Sequence, residues 1–232
     1  DASWQEGRMF GYVFHPGEET AGVAARAHQL FGSENALNQS LFKSLKQFEN
    51  DIVSIVTGLL HGSPETAGTF TSGGTESIFL SIKTARDKAR AEHPEITAPV
   101  IVVPESVHPA FQKAAHYLDV LTVITPVRED KRADPEAIRR AVTPDTILLA
   151  ASAPCFPHGV IDPITEIADI ALEKTILFHV DACMGGMFLP FAARLGYPIP
   201  LFDFLVPGVT SISSDLHKYG YSPKGASVIL YR

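Results

Sequence analysis

From residue 99 onward the chain repeats one pattern, a short apolar run rich in β-branched residues and then a segment of helix length. The runs fall at 99–103, 120–125, 146–152, 175–180, 209–212 and 226–231, and a shorter one at 68–71 precedes them. A strand with one wet face alternates polar and apolar residues. Runs that stay apolar must be covered on both faces, and helix-length crossovers are what parallel neighbours require. The pattern predicts an α/β fold, a mainly parallel seven-stranded sheet with helices on both faces. Helices are predicted over 77–92 and 109–118. Two more open at Asp134-Pro135-Glu136 and at Asp162-Pro163, each with an aspartate as cap and a proline at the first position. Upstream, Leu41, Leu45, Phe48, Ile52, Ile55, Val56 and Leu59 keep a helical period until Gly62 and Pro64 close it. Residues 1–32 read as an irregular arm.

With 232 residues, 45% of them hydrophobic, the chain can bury one sizeable core. A net charge of −7 without any basic stripe argues against a nucleic-acid surface. No apolar stretch is long enough to span a bilayer, and no signal-peptide pattern stands at Asp1. The start at Asp1 reads as that of a processed product and leaves room for an upstream anchor. Two cysteines, Cys155 and Cys183, form no framework, which favours a reducing, cytoplasmic compartment.

The chemically capable residues gather where such a sheet binds ligands, just beyond the carboxyl ends of its strands. Ser72-Gly73-Gly74-Thr75 follows the first strand and opens a helix, and Ser106-Val107-His108 follows the 99–103 run. Asp181 ends the 175–180 run, and His217-Lys218 follows the 209–212 run. Paired glycines let backbone approach an anion, and the first N–H groups of a helix have no partner within it. Gly74 and Thr75 therefore suit a phosphate, a plain tight turn being the common alternative. Asp181 lies among apolar residues, where a carboxylate needs a cation or donors; a protonated ring nitrogen, an arginine or a helix terminus would each serve. His108 suits stacking on a flat ring, or merely starts a helix, and His217 suits either the phosphate or the loop wall. Lys218 stands near the entrance of a polar loop, 213–225. It is either solvated surface or the amine that captures an aldehyde as a Schiff base. Such an amine reacts only when neutral, a state that about one unshifted lysine in 2,500 holds at pH 7. Neighbouring cations would lower its pKa, and His217, Lys224 and the helix N-terminus are the expected source. Taken together these groups specify pyridoxal 5′-phosphate better than any one of them does alone. No pair of His, Cys or carboxylate residues has a metal-ligand spacing, so no metal is expected.

Four segments carry a resemblance: Thr71-Ser72-Gly73-Gly74-Thr75-Glu76-Ser77, Phe156-Pro157-His158-Gly159-Val160-Ile161-Asp162-Pro163, His179-Val180-Asp181-Ala182-Cys183-Met184-Gly185-Gly186 and Asp215-Leu216-His217-Lys218-Tyr219-Gly220-Tyr221-Ser222-Pro223-Lys224-Gly225. In this order they resemble the sphingosine-1-phosphate lyases, in the group II decarboxylase branch of the fold-type I pyridoxal 5′-phosphate enzymes. The resemblance implies that Lys218 forms the Schiff base, that Asp181 pairs with the pyridinium nitrogen and that His108 stacks on the ring. It implies that Gly74, Thr75 and His217 hold the cofactor phosphate and that Lys224 contacts a substrate phosphate. Phe14, Asn35 and Asn38 belong near the substrate by the same resemblance, although the lyases typically carry Tyr at the first and His at the last of these. Also implied are a homodimer with active sites at the interface and a division into residues 1–62, an arm and first helix contributing to that interface, and 63–232, the cofactor-binding domain. A smaller C-terminal domain of the fold lies outside this chain. The implied reaction cleaves the C2–C3 bond of a phosphorylated long-chain base to phosphoethanolamine and a fatty aldehyde. The alternatives are an amino-acid decarboxylase with the same cofactor and a non-catalytic binding or assembly protein.

Overall fold

The computed structural model describes residues 3–6, 9, 11–38 and 40–232. Its strands are β1 (Ala67–Thr71), β2 (Val100–Pro104), β3 (Leu121–Thr125), β4 (Thr146–Ser152), β5 (Leu177–Asp181), β6 (Ser211–Asp215) and β7 (Ser227–Tyr231). They form one sheet in the order β1-β7-β6-β5-β4-β2-β3. The pairings from β6 through β3 are parallel, and β7 runs antiparallel to both its neighbours. The seven-stranded, mainly parallel sheet expected from the sequence is thus borne out.

Among the described residues seven α-helices accompany it: α1 (Glu18–Phe31), α2 (Lys43–Leu59), α3 (Gly74–Glu92), α4 (Ala110–Tyr117), α5 (Pro135–Ala141), α6 (Ile164–Lys174) and α7 (Leu189–Arg194). The pleat sends successive β2 residues to opposite faces. Val100 and Val102 join a core that includes Val56 of α2, Ile138 of α5 and Ile164 and Ile167 of α6. Ile101 and Val103 join a second core with Ile78 and Ile82 of α3 and Phe111 of α4. Each such buried side chain contributes about 1.5–3 kcal/mol of transfer free energy, so apolar runs without alternation are what this double burial selects.

Four expectations need correction. Residues 18–31, read as irregular, form α1. This helix keeps every residue at least partly exposed, but Val23, Ala27, Leu30 and Phe31 keep a helical spacing, and that, with the alanine content, was the usable signal. The short α7 was also missed. Ser213, Ser214 and Asp215, assigned to the lysine loop, belong to β6 and are buried. Asp134 caps α5 as expected, accepting the Glu136 N–H at 3.0 Å with Pro135 behind it. Asp162 does not cap α6 in this way. Its buried carboxylate accepts the N–H groups of Ala133 and Ser152, each at 2.8 Å, and so ties the start of α5 to the end of β4.

Candidate active site

Thr71, Ser152, Asp181 and Asp215 end their strands at the same edge of the sheet, and a cavity of about 290 Å³ opens there. Gly74, Thr75, His108, Asp181, His217 and Lys218, all six of the residues singled out for a cofactor, line it. A larger groove of about 590 Å³ opens at the opposite edge, where β4 and β5 begin. None of those six residues lines it, so cavity size alone would mislead.

The glycine turn is shaped by what lies beneath it. Gly73 has φ +151, a conformation that side chains disfavour, and it is the N-cap of α3. A Cβ added at Gly74 would stand 2.7 Å from the Cys183 sulfur and 2.9 and 3.0 Å from the two Asp215 oxygens, so only glycine fits. Because the cap is Gly73 and not Ser72, Glu76 occupies the third helical position. Its Oε2 accepts both the N–H and the hydroxyl of Ser72, at 2.6 and 2.7 Å, in the manner of a capping box. A chain of buried hydroxyls then fixes the turn to the sheet: Thr71 to Ser77 at 2.7 Å and Ser77 to Ser227 at 2.9 Å, with Ser227 donating to the Ser214 carbonyl at 3.1 Å.

Asp181, 7% exposed, accepts the Cys183 N–H at 3.0 Å and the Ser213 hydroxyl at 3.4 Å. Beneath it His179 is fully buried between Ser211 and Ser213, at 2.9 and 3.2 Å. Burial lowers the His179 pKa to about 4 against a smaller opposing pull from Asp181, so this ring is neutral. Burial likewise pushes the Cys183 thiol well above its ordinary range, with the Asp181 and Asp215 carboxylates acting the same way. Cys183 is therefore a packing group beside the turn and carries no charge.

Lys218 is three-quarters or more buried, and its Nζ lies 2.9 Å from Asp215 Oδ2. Here the sequence expectation fails. Burial acts to lower the Lys218 pKa, while Cys183, then Asp215 and Asp181, act to raise it, and the raising influences together prevail. Of the expected cations, His217 faces the same carboxylate as Lys218, and Lys224 lies against Phe14. His217 Nδ1 accepts the Ala226 N–H at 3.1 Å, which places the ring proton on Nε2, 3.6 Å from Asp215 Oδ2. The Lys224 ammonium sits 5.2 Å above the Phe14 ring. His108 Nδ1 accepts the Ala110 N–H at 3.1 Å at the start of α4, which fixes the plane of its ring.

The substrate residues divide. Phe14 packs edge-on against Tyr219 at 5.0 Å and under Lys224, so the arm and the lysine loop meet. Neither Phe14 nor Lys224 is among the residues that line the cavity, and neither are Asn35 and Asn38. They hold exposed turns after α1, Asn35 accepting the Leu37 N–H and Asn38 accepting from Ser40 and Leu41. Asp215 was missed, because it was read as the first part of a polar loop. The signal was the carboxylate three residues before Lys218, a spacing that brings the two together on one turn.

The sequence profile of the pyridoxal-dependent decarboxylase conserved domain matches residues 18–232. The chain belongs to the pyridoxal-dependent decarboxylase family. Within this family it is 48% identical to the sphingosine-1-phosphate lyase of Arabidopsis thaliana, over 100% of this chain and 44% of that protein. The solved sphingosine-1-phosphate lyase of Burkholderia pseudomallei superposes with a TM-score of 0.95 at 41% identity, over 99% of this chain and 54% of that one. The glutamate decarboxylase of Lactobacillus brevis, 21% identical with a TM-score of 0.81 over 94% of this chain and 51% of its own, shares the fold. The chain therefore spans less than half the length of the curated relatives it matches. The fold-type I large domain inferred from the sequence motifs holds, and so does the resemblance to the lyase branch of this decarboxylase family.

Proposed function

We propose that this chain supplies the cofactor-binding part of a pyridoxal 5′-phosphate-dependent lyase that cleaves the C2–C3 bond of a phosphorylated long-chain base, releasing phosphoethanolamine and a fatty aldehyde. The observation that carries the reading is the convergence of four distant segments on one cavity, with Gly74 and Thr75, His108, Asp181, and His217 with Lys218 among its walls. The donor set fits the cofactor. Gly74 and Thr75 line the cavity at the first turn of α3, whose leading N–H groups have no partner within the helix, and this suits a phosphate. Asp181, oriented by the Cys183 N–H and the Ser213 hydroxyl, suits a protonated ring nitrogen. His108 would cover the ring face, His217 would donate from Nε2, and Lys218 would bond the aldehyde carbon.

When bound, pyridoxal phosphate supplies an electron sink for the pair released as the C2–C3 bond breaks. The chain's own part is to hold and orient. Asp181 keeps a proton on the ring nitrogen, where a fixed anion at hydrogen-bond range favours the charged form. The buried walls exclude water from the reacting bond. Lys224, on the lysine loop, offers an ammonium donor that suits a phosphorylated substrate. Phe14 holds that ammonium over its ring, where a tyrosine would add a hydroxyl.

Homodimerisation is part of the proposal. Val23, Leu30, Leu37, Leu41 and Ile55, on or beside α1 and α2, are all more than half exposed, a surface that a second copy would cover. Residues 1–62 would then serve the interface and 63–232 the cofactor. The reading is tested by incubating the chain and pyridoxal phosphate with sphingosine 1-phosphate and with free amino acids. Fatty aldehyde release that disappears in Lys218→Ala is the expected result, and carbon dioxide from an amino acid without aldehyde release would overturn it.

A further inference from the structure

Asp215 has no role in the scheme above, yet it is the most deeply buried charged group facing the lysine. Its side chain is 2% exposed, and the single oxygen Oδ2 lies 2.9 Å from Lys218 Nζ and 3.6 Å from His217 Nε2. Its other oxygen, Oδ1, has no hydrogen-bond partner among the described residues and lies directly under the Gly74 turn. We infer that Asp215 is a positioning residue: it holds the Lys218 amine as an ammonium pinned beneath the phosphate turn, and so sets the pH at which Lys218 captures an aldehyde. The inference rests on Lys218 being the capturing amine.

The other groups around Lys218 leave this task to Asp215. Asp181, at the end of β5, is already engaged by the Cys183 N–H and Ser213. Cys183 is a neutral thiol, and Glu76 of α3 is taken up by Ser72. His217, on the same loop, accepts the Ala226 N–H at Nδ1 and turns Nε2 towards Asp215 itself, and Lys224 leans on Phe14. His108, after β2, is fixed at the start of α4. An ammonium at 2.9 Å from a nearly dry carboxylate is stabilised by their attraction, and the amine must give up its proton to solvent before it can react. The neutral nitrogen then adds to the aldehyde carbon, a C–N bond forms, and the carbonyl oxygen leaves as water.

The test uses the full chain freed of cofactor and, as probe, pyridoxal, which lacks the phosphate and so does not draw on the glycine turn. Brief exposure at a series of pH values is followed by borohydride, whose hydride adds to the C=N carbon and fixes the adduct as a secondary amine. Peptide mass then reports Lys218, with exposed Lys46 and Lys113 in the same digest as ordinary amines. In the wild type the Lys218 midpoint should lie above that of Lys46. In Asp215→Asn it should fall by about one unit or more, so that labelling at pH 8 rises about tenfold, while Asp215→Glu keeps a profile near the wild type. A wild-type midpoint at or below that of Lys46 overturns the inference even if Asp215→Asn fails to fold, as does an unchanged midpoint in Asp215→Asn. Absence of any Lys218 label in the wild type overturns the assignment of Lys218 itself, a distinct outcome.

Discussion

Strands β2 and β6 lie in the same sheet and are buried at every position, yet β2 reads Val-Ile-Val-Val-Pro and β6 reads Ser-Ile-Ser-Ser-Asp. The first is held by apolar burial on both faces. The second buries four polar side chains in five, which is costly unless each finds a partner. Three do. Ser211 bonds His179; Ser213 reaches His179, Asp181 and Cys183; Asp215 meets Lys218. The difference separates the residues that make the sheet from those that equip its edge for chemistry.

The comparison can be broken in four places, taken from the largest expected effect to the smallest. Ile101→Ala in β2 should destabilise the protein by about 2–5 kcal/mol in urea unfolding, since it leaves a cavity in a closed core, while cofactor affinity stays as it was. The buried histidine that supports β6 should make itself felt through pH. The His179 pKa is about 4 in the fold, against 6.5 ordinarily, so between those values the unfolded chain takes up a proton that the native chain refuses. Stability is therefore lost as pH falls from about 6.5 towards 4, by up to about 3 kcal/mol. His179→Gln should flatten this slope, and an equal slope in both proteins would remove the neutral buried ring from the account. Ser213→Ala should cost about 1–3 kcal/mol by stranding His179 and Asp181, and it should also weaken pyridoxal phosphate binding in a fluorescence titration. Ser214→Ala is the control. The Ser214 hydroxyl has no partner among the described residues, so its removal should be neutral or stabilising by up to about 1 kcal/mol. If Ser213→Ala proves as silent as Ser214→Ala, the pairing along β6 carries no weight.

The same contrast explains what could be read in advance. β2 was legible because both its faces demand apolar residues, and the same reasoning placed β4 and β5. Only half of β6 was seen, since Ser213, Ser214 and Asp215 look like loop until their partners, 30 to 34 residues upstream for Ser213, are known. The cofactor residues were legible because the topology brings strand ends to one edge, so Gly74, His108, Asp181 and Lys218 could be grouped by position alone. The charge around Lys218 was not. Loop composition offered His217 and Lys224 as neighbouring cations, whereas the fold sets Asp215 against Lys218 and turns His217 towards that same carboxylate. Helix α1 escaped for another reason: Val23, Ala27, Leu30 and Phe31 keep a helical spacing, but the stripe is short and stays largely exposed within this chain.

The most direct measurement of the central claim is to load the chain with pyridoxal phosphate, reduce it with borohydride and map the modified peptide. The account predicts one phosphopyridoxyl group, on Lys218, lost when Asp181 is replaced by alanine or when Gly74 is replaced by a residue that fills the turn. A label on any other lysine, or a Lys218 label indifferent to both changes, would contradict it.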